Sequence, residues 1–248
     1  MNILVCCKPI SPKELNPLDA YALNAAAKIK SKNSAVHITA LSMGAPDAIH
    51  TLRNAVAIAA DDGVLVPLPK DFLVPEAFHS FEKSYTLSCA VKLLGTSDHP
   101  PDCIFFGAEA PELYSGHIPA MLAEHLDYPF IYSAISADAV SSETGQQQLL
   151  VQTEQDDYLA TFNLLLPCVV SFTKTPETLG HPSIPGIIKS QHMEFSPLQI
   201  QPPNPSTGTQ MLRSIPLRKN RDTQIIHEGD DSKNADRLIE LLTETGIL

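Results

Sequence analysis

The stretch that decides the fold is CIFFGAEAPELYSGHIPAMLAEHL, residues 103–126. CIFFGA is a short apolar run of the kind a fully buried strand carries. The apolar residues after it recur at helical spacing, which predicts a helix over residues 112–126. A strand running into a helix through a glycine-containing loop is one unit of an α/β sheet. The loop falls where such proteins often hold a phosphate. Yet it carries Glu109 and Glu112, no lysine or arginine, and only two glycines.

Three similar units precede it. Residues 2–7 (NILVCC) read as a buried strand, and Leu18, Tyr21, Ala22, Ala25 and Ile29 then repeat at helical spacing. Residues 35–43 (AVHITALSM) are strand-like. Pro46 opens the next helix, with Ile49, Leu52, Val56 and Ala60 on its apolar face. GVLVPL supplies a third strand and YTLSCAVKLL a third helix. Consecutive strand–helix units imply a parallel sheet with helices on both faces, and ligands in such sheets bind beyond the carboxyl ends of the strands. Residues 6–9, 43–45 and 107–119 are thereby assigned to one rim.

The pattern changes past residue 130. Residues 130–140 and 149–153 read as strands around polar SSETGQQQ. Tyr158, Ala160, Phe162, Leu164 and Leu166 alternate as a half-buried antiparallel strand does, and CVVSF is another buried strand. Beyond Phe172 the chain is rich in proline, and SPLQIQPPNPSTGTQ has no core of its own. A last helix over residues 234–245 carries Ala235, Leu238, Ile239 and Leu242 on one face, which needs a surface to cover it. The expected fold is a Rossmann-like, doubly wound α/β sheet, mostly parallel, with an added antiparallel segment. The expected division is an α/β domain over residues 1–190, then an arm and C-terminal helix over 191–248 that packs on a partner subunit.

Composition narrows the function. A net charge of -11 over 248 residues argues against nucleic acid and anionic membranes as partners. The start, MNILVCCKPISPK, does not read as a secretory signal, and no apolar run approaches the ~20 residues of a membrane span, so a cytoplasmic protein is expected. Five cysteines without CxxC spacing fit buried thiols better than disulfides, metal ligands or a nucleophile. No dinucleotide fingerprint, P-loop, nucleophile elbow or HExxH motif is present. His117 and His125 are two helical turns apart, and solvent or cap positions explain them. Glu109 and Glu112 could be paired carboxylates, but no partner for acid–base work is evident nearby, and a helix start favours acid anyway.

The order of segments resembles the beta subunit of electron-transfer flavoproteins, over nearly the whole chain. MNILVCCKPI, with Lys8, looks like that family's opening strand. NPLDAYALNAAAKIK resembles its asparagine–proline helix start. ALSMGAPDAIHTLRNAVAIAADDGVLV is similar to its second strand, glycine turn and helix, and LPCVVSF to a later strand. HPSIPGIIKS resembles the proline-flanked loop by which the family contacts dehydrogenases, and residues 212–248 resemble its arm and last helix. The resemblance implies an electron carrier rather than an enzyme. It implies a heterodimer with an alpha subunit that carries FAD, exchanging electrons between a dehydrogenase and a quinone reductase or ferredoxin. It also implies a second nucleotide, AMP or a further FAD, in the beta subunit itself. By position the nucleotide rim would be Cys6, Asn16, Pro17, Leu18, Asp19, Met43, Gly107, Glu112, Leu113, Tyr114, Ser115, Gly116, His117 and Ile118, with no metal. Partner docking would fall to Ile184, Pro185 and Lys189. Core packing accounts equally for Cys6 and Met43, and helix capping for Asn16.

The departures mark a divergent paralogue. Glu109, His117, Ile118 and Pro119 replace the loop residues typical of the family, and Pro119 removes an amide donor. VQTEQDDY lacks the usual arginine, Gly180 replaces another, and only Lys189 remains of the lysines after the proline loop. A subunit that has lost its own nucleotide and only braces its partner is the alternative, as is a stand-alone adenine-nucleotide-binding protein.

Overall fold

A computed structural model describes residues 1–11, 14–68, 80–96, 100–110, 116–142, 144–175, 179–201, 203, 223–227 and 229–247. The chain forms two compact units, Met1–Gln210 and Met211–Leu248. In chain order the first unit contains β1 (Asn2–Cys6), β2 (Pro9–Ser11), β3 (Glu14–Leu15), α1 (Pro17–Lys32), β4 (His37–Gly44), a 3-10 turn (Pro46–Ala48) and α2 (Ile49–Ile58). There follow β5 (Asp62–Pro67), α3 (Ser80–Leu94), β6 (Cys103–Gly107), α4 (His117–Leu126), β7 (Phe130–Ser141), β8 (Gln147–Gln155), β9 (Tyr158–Leu165), β10 (Cys168–Phe172) and α5 (Ile184–His192). The second unit holds α6 (Asp231–Glu244).

Eight strands form one sheet in the order β5-β4-β1-β6-β10-β7-β8-β9. Pairing is parallel from β5 through β7 and antiparallel from β7 to β9. The parallel strands bury both faces, which is why they read as continuous apolar runs. Ile3, Val5, Ile38, Phe105 and Val170 pack under α1 and α2, whereas Leu4, Leu41, Ile104 and Val169 pack under α3 and α4. Phe105 and Phe172 meet edge to face at 4.8 Å in the first of these layers. Each such side chain contributes about 1.5–3 kcal/mol by leaving water.

The two edges of the sheet are finished differently. At β5, the segment after α5 crosses the edge: Leu198 N–H donates to Leu65 O at 2.7 Å, and Pro197 bridges Leu65. Phe195 lies on Gly63, where a Cβ would be 2.8 Å from its ring. At β9, Tyr158, Leu159, Phe162 and Leu165 are exposed large apolar side chains on the outermost strand.

Two expectations change. HPSIPGIIKS is not a loop: residues 184–192 form α5, because Ser183 Oγ accepts Gly186 N–H at 3.0 Å and Pro185 occupies the first turn, where its missing N–H costs nothing. The last helix starts earlier than residue 234, because Asp230 caps it by accepting Lys233 N–H at 2.9 Å. No residue of α6 is buried, and Leu238 and Ile239 on its apolar face are about half exposed. Among the described residues no helix is long and apolar enough to cross a membrane.

Candidate functional site

The sheet order places a switch point between β1 and β6: the chain leaves β1 toward β4 on one side, while β6 lies on the other. The crevice beyond their carboxyl ends is where this architecture receives ligands. Here it is organised by α1. Asn16 caps that helix, its Oδ1 accepting Leu18 N–H at 3.2 Å, with Pro17 next in the chain. The other end of the Asn16 amide donates to Asp19 Oδ1 at 3.0 Å and to Glu109 O at 2.9 Å. Asp19 then accepts Lys8 N–H on Oδ2 at 2.6 Å and Gly107 N–H on Oδ1 at 2.9 Å. One buried carboxylate thus ties the end of β1, the end of β6 and the first turn of α1 together. Gly107 is required by this approach, since a Cβ there would lie 2.5 Å from Asp19 Oδ1 and 2.8 Å from Asp19 N. Burial pushes the Asp19 carboxyl up to about 7, against the pull of its Lys8, Gly107 and Asn16 donors.

Of the other expected rim residues, Pro17 is exposed and Leu18 half-buried beside this knot. Cys6, Met43 and Ile118 belong to the opposite face of the sheet, packed with Leu4, Leu41 and Phe106. Burial, then the neighbouring Asp19, raises the Cys6 thiol far above its ordinary value, so it is a neutral wall and no nucleophile. Gly116 precedes α4 with φ +59°; a Cβ there would lie 2.9 Å from Ala108 O and 3.1 Å from the Tyr132 ring. His117 is exposed at the helix start, and Pro119 is buried in its first turn. His125 belongs elsewhere, between the rings of Phe81 at 5.3 Å and Tyr85 at 5.7 Å, with Nε2 3.2 Å from Ser84 Oγ. Glu112, Leu113, Tyr114 and Ser115 lie outside the described residues.

Lys8 enters the rim through its backbone N–H, which no residue-type argument would single out. A pair at the rim also escapes the sequence reading. Tyr132 Oη–H donates to Glu109 Oε1 at 2.8 Å, and burial, then that carboxylate, raises the phenol. Tyr132 is 46% exposed even so. The residue after it, Ser133, has φ +59°, and its N–H donates to Ser171 Oγ at 3.2 Å. A positive φ at a serine stores roughly 1–3 kcal/mol of strain. It goes with a register irregularity between Val170 and Phe172, and strand alternation gives no sign of it.

The expected docking residues come together on α5. Ile184 is 74% exposed, Pro185 is exposed, and Ile188 extends the same apolar surface. Lys189 Nζ donates to Asp61 O at 2.8 Å. Gly186 lets α5 close on α2, since a Cβ would lie 2.5 Å from Ala57 O. Among the described residues no group of three His, Cys, Asp or Glu side chains is placed to hold a metal ion.

Comparison with known proteins adds the family. The electron transfer flavoprotein domain matches residues 9–178. The chain is 26% identical over 235 residues to the electron transfer flavoprotein subunit beta of Bacillus subtilis (strain 168), covering 92% of this chain and 85% of that one. It is 30% identical over 157 residues to the acryloyl-CoA reductase electron transfer subunit gamma of Anaerotignum propionicum, covering 63% of this chain and 54% of that one. It is 27% identical over 187 residues to the mitochondrial electron transfer flavoprotein subunit beta of Arabidopsis thaliana, covering 75% and 69% of the two chains. A parallel sheet with an antiparallel extension and a match spanning most of the chain agree: the protein belongs to the electron transfer flavoprotein family, as a divergent member of the beta-subunit type.

Proposed function

We propose that this chain is the beta subunit of a heterodimeric electron transfer flavoprotein whose alpha subunit carries FAD. It takes electrons from a dehydrogenase and delivers them to a quinone reductase or ferredoxin, and works in the cytoplasm. The observation that carries the reading is the switch-point rim, built by Asn16, Asp19 and Gly107, in a chain of this family. FAD, when bound, supplies the electron-accepting ring. This chain supplies a rigid wall that orients the ring and keeps water from it, and none of its side chains makes or breaks a bond. The exposed β9 face and α6 pack against the alpha subunit, and the apolar Ile184–Pro185 corner of α5 meets the electron donor.

A second nucleotide in this subunit, AMP or FAD, fits poorly. The Lys8 and Gly107 amides that could meet a phosphate are bonded to Asp19, and Pro119 offers no amide in the first turn of α4. That observation favours a second reading, in which the chain braces the flavin-bearing partner without an AMP or FAD of its own. Nucleotide released by acid from the purified heterodimer, identified and counted, separates the two. Two nucleotides per heterodimer support the first form, and FAD alone supports the second. Failure of every acyl-CoA dehydrogenase or other flavin-linked donor to reduce the pair defeats both.

A further inference from the structure

Among the described residues nothing pairs with the outer side of β9. Which of its groups are free follows from the hairpin before it. Asp156 and Asp157 form the turn, so the flanking Gln155 and Tyr158 are a pair that exchanges both backbone hydrogen bonds. The same holds at every second position, for Thr153–Ala160, Val151–Phe162 and Leu149–Leu164. Leu159, Thr161, Asn163 and Leu165 therefore turn their N–H and C=O groups outward, away from β8. Their side chains share one face of the sheet. Tyr158, Ala160, Phe162 and Leu164 share the other, where Leu164 joins the core layer of Leu149 and Val151.

We infer that β9 docks a second copy of this chain, antiparallel, across a two-fold axis at Phe162. In that register Leu159 lies opposite Leu165 of the copy, Thr161 opposite Asn163, and Phe162 opposite its own counterpart. Ala160 meets Leu164, small against large. All four outward residues pair their backbone groups, apolar facing apolar and polar facing polar. A two-fold contact uses one patch twice, so the strand must match itself reversed, and YLATFNLL does so about its phenylalanine. Other registers fit worse. Moving the axis by one residue sets Leu159 against Asn163 or Thr161 against Leu165. Moving it by two brings in Asp157, or Pro167, which has no N–H. The strand carries no charge to oppose the approach. One strand edge is small for an interface, so the contact is weak, and a partner subunit using the same edge displaces it. The inference needs only the free edge and its sequence, and its failure leaves the heterodimer reading intact.

Sedimentation equilibrium of the full chain alone, from about 1 µM to about 1 mM, tests this. The wild type is expected to pass from the mass of one chain toward that of two as concentration rises. Thr161→Lys sets two ammonium groups on diagonal neighbours at the centre of the contact and leaves the pairing with β8 alone. It should weaken association at least about tenfold with an unchanged circular dichroism spectrum. Oxidation with copper–phenanthroline, read on a non-reducing gel against the wild type with its native cysteines, reports the register. Phe162→Cys should give a linked dimer, because the two non-hydrogen-bonded partners lie about 4.5 Å apart at Cα. Tyr158 is more exposed than Phe162, at 62% against 37%. Tyr158→Cys should nonetheless stay unlinked, since the two copies of that position sit roughly 25 Å apart. A wild type that is monomeric throughout, or Thr161→Lys associating as well as the wild type, overturns the inference. So does Tyr158→Cys linking as readily as Phe162→Cys, and this comparison decides alone if Thr161→Lys does not fold.

Discussion

The two edges of the sheet contrast sharply. At β5 the chain returns over its own edge, supplies a hydrogen bond to Leu65 and lays Phe195 on Gly63. At β9 it leaves Leu159 61% and Tyr158 62% exposed, with no charged residue in the strand to discourage pairing. Natural sheets guard such an edge with charge, proline or a covering element. The β5 edge is stable by its own contacts, whereas the β9 edge makes sense in an assembly. That is what a subunit, as opposed to a self-sufficient domain, would carry.

The contrast can be broken by substitution, read by chemical denaturation of the isolated chain. Phe195→Ala should cost the most, about 3–5 kcal/mol, because it empties a buried position. A cost below about 1 kcal/mol would mean that the β5 edge is no better finished than β9. Asp19→Ala, in the first turn of α1 at the switch point between the two edges, should cost about 2–3 kcal/mol by leaving the Lys8 and Gly107 amides without acceptors. Leu159→Asn on β9 should change stability by less than about 0.5 kcal/mol, yet weaken capture of the alpha subunit about tenfold. Ile184→Ala should leave both stability and subunit capture unchanged and slow only reduction by the donor, because the side chain is 74% exposed.

Asp19 also sets a pH dependence. Its carboxyl is raised from an ordinary 3.8 to about 7, so the folded chain binds this proton more tightly than the unfolded one. The stability this gives is complete below 3.8 and lost as pH rises through about 7. Thermal unfolding across that window should show the wild type losing ground to Asp19→Asn as pH rises. A constant difference between the two proteins would show that Asp19 does not titrate there.

The parallel half of the fold was legible because strands buried on both faces must be apolar along their length, as NILVCC and CIFFGA are. α5 was not legible as a helix, since its prolines suggested a loop. The Ser183 cap and a proline in the first turn are equally good helix signals, and contact with α2 decided between them. At the rim, Gly107 followed from the strand–helix order and Asn16 and Asp19 from the resemblance, although what they do there is hydrogen-bond one another. Glu109 was read as an acid–base candidate, a helix-entry acid and a departure from the family's loop, but not as the partner of a tyrosine. Tyr132 was missed because its partner Glu109 lies 23 residues away in the chain, a pairing that strand alternation does not encode.

The central claim is that this chain completes a flavin site it does not hold alone. The most direct measurement is the visible spectrum of the chain co-purified with an alpha-type subunit, taken before and after the two are separated. A yellow heterodimer is expected, bleached on addition of a reductant, whose flavin is released when the chains part. A colourless pair, or a chain that stays monomeric in the presence of such a subunit, would contradict it.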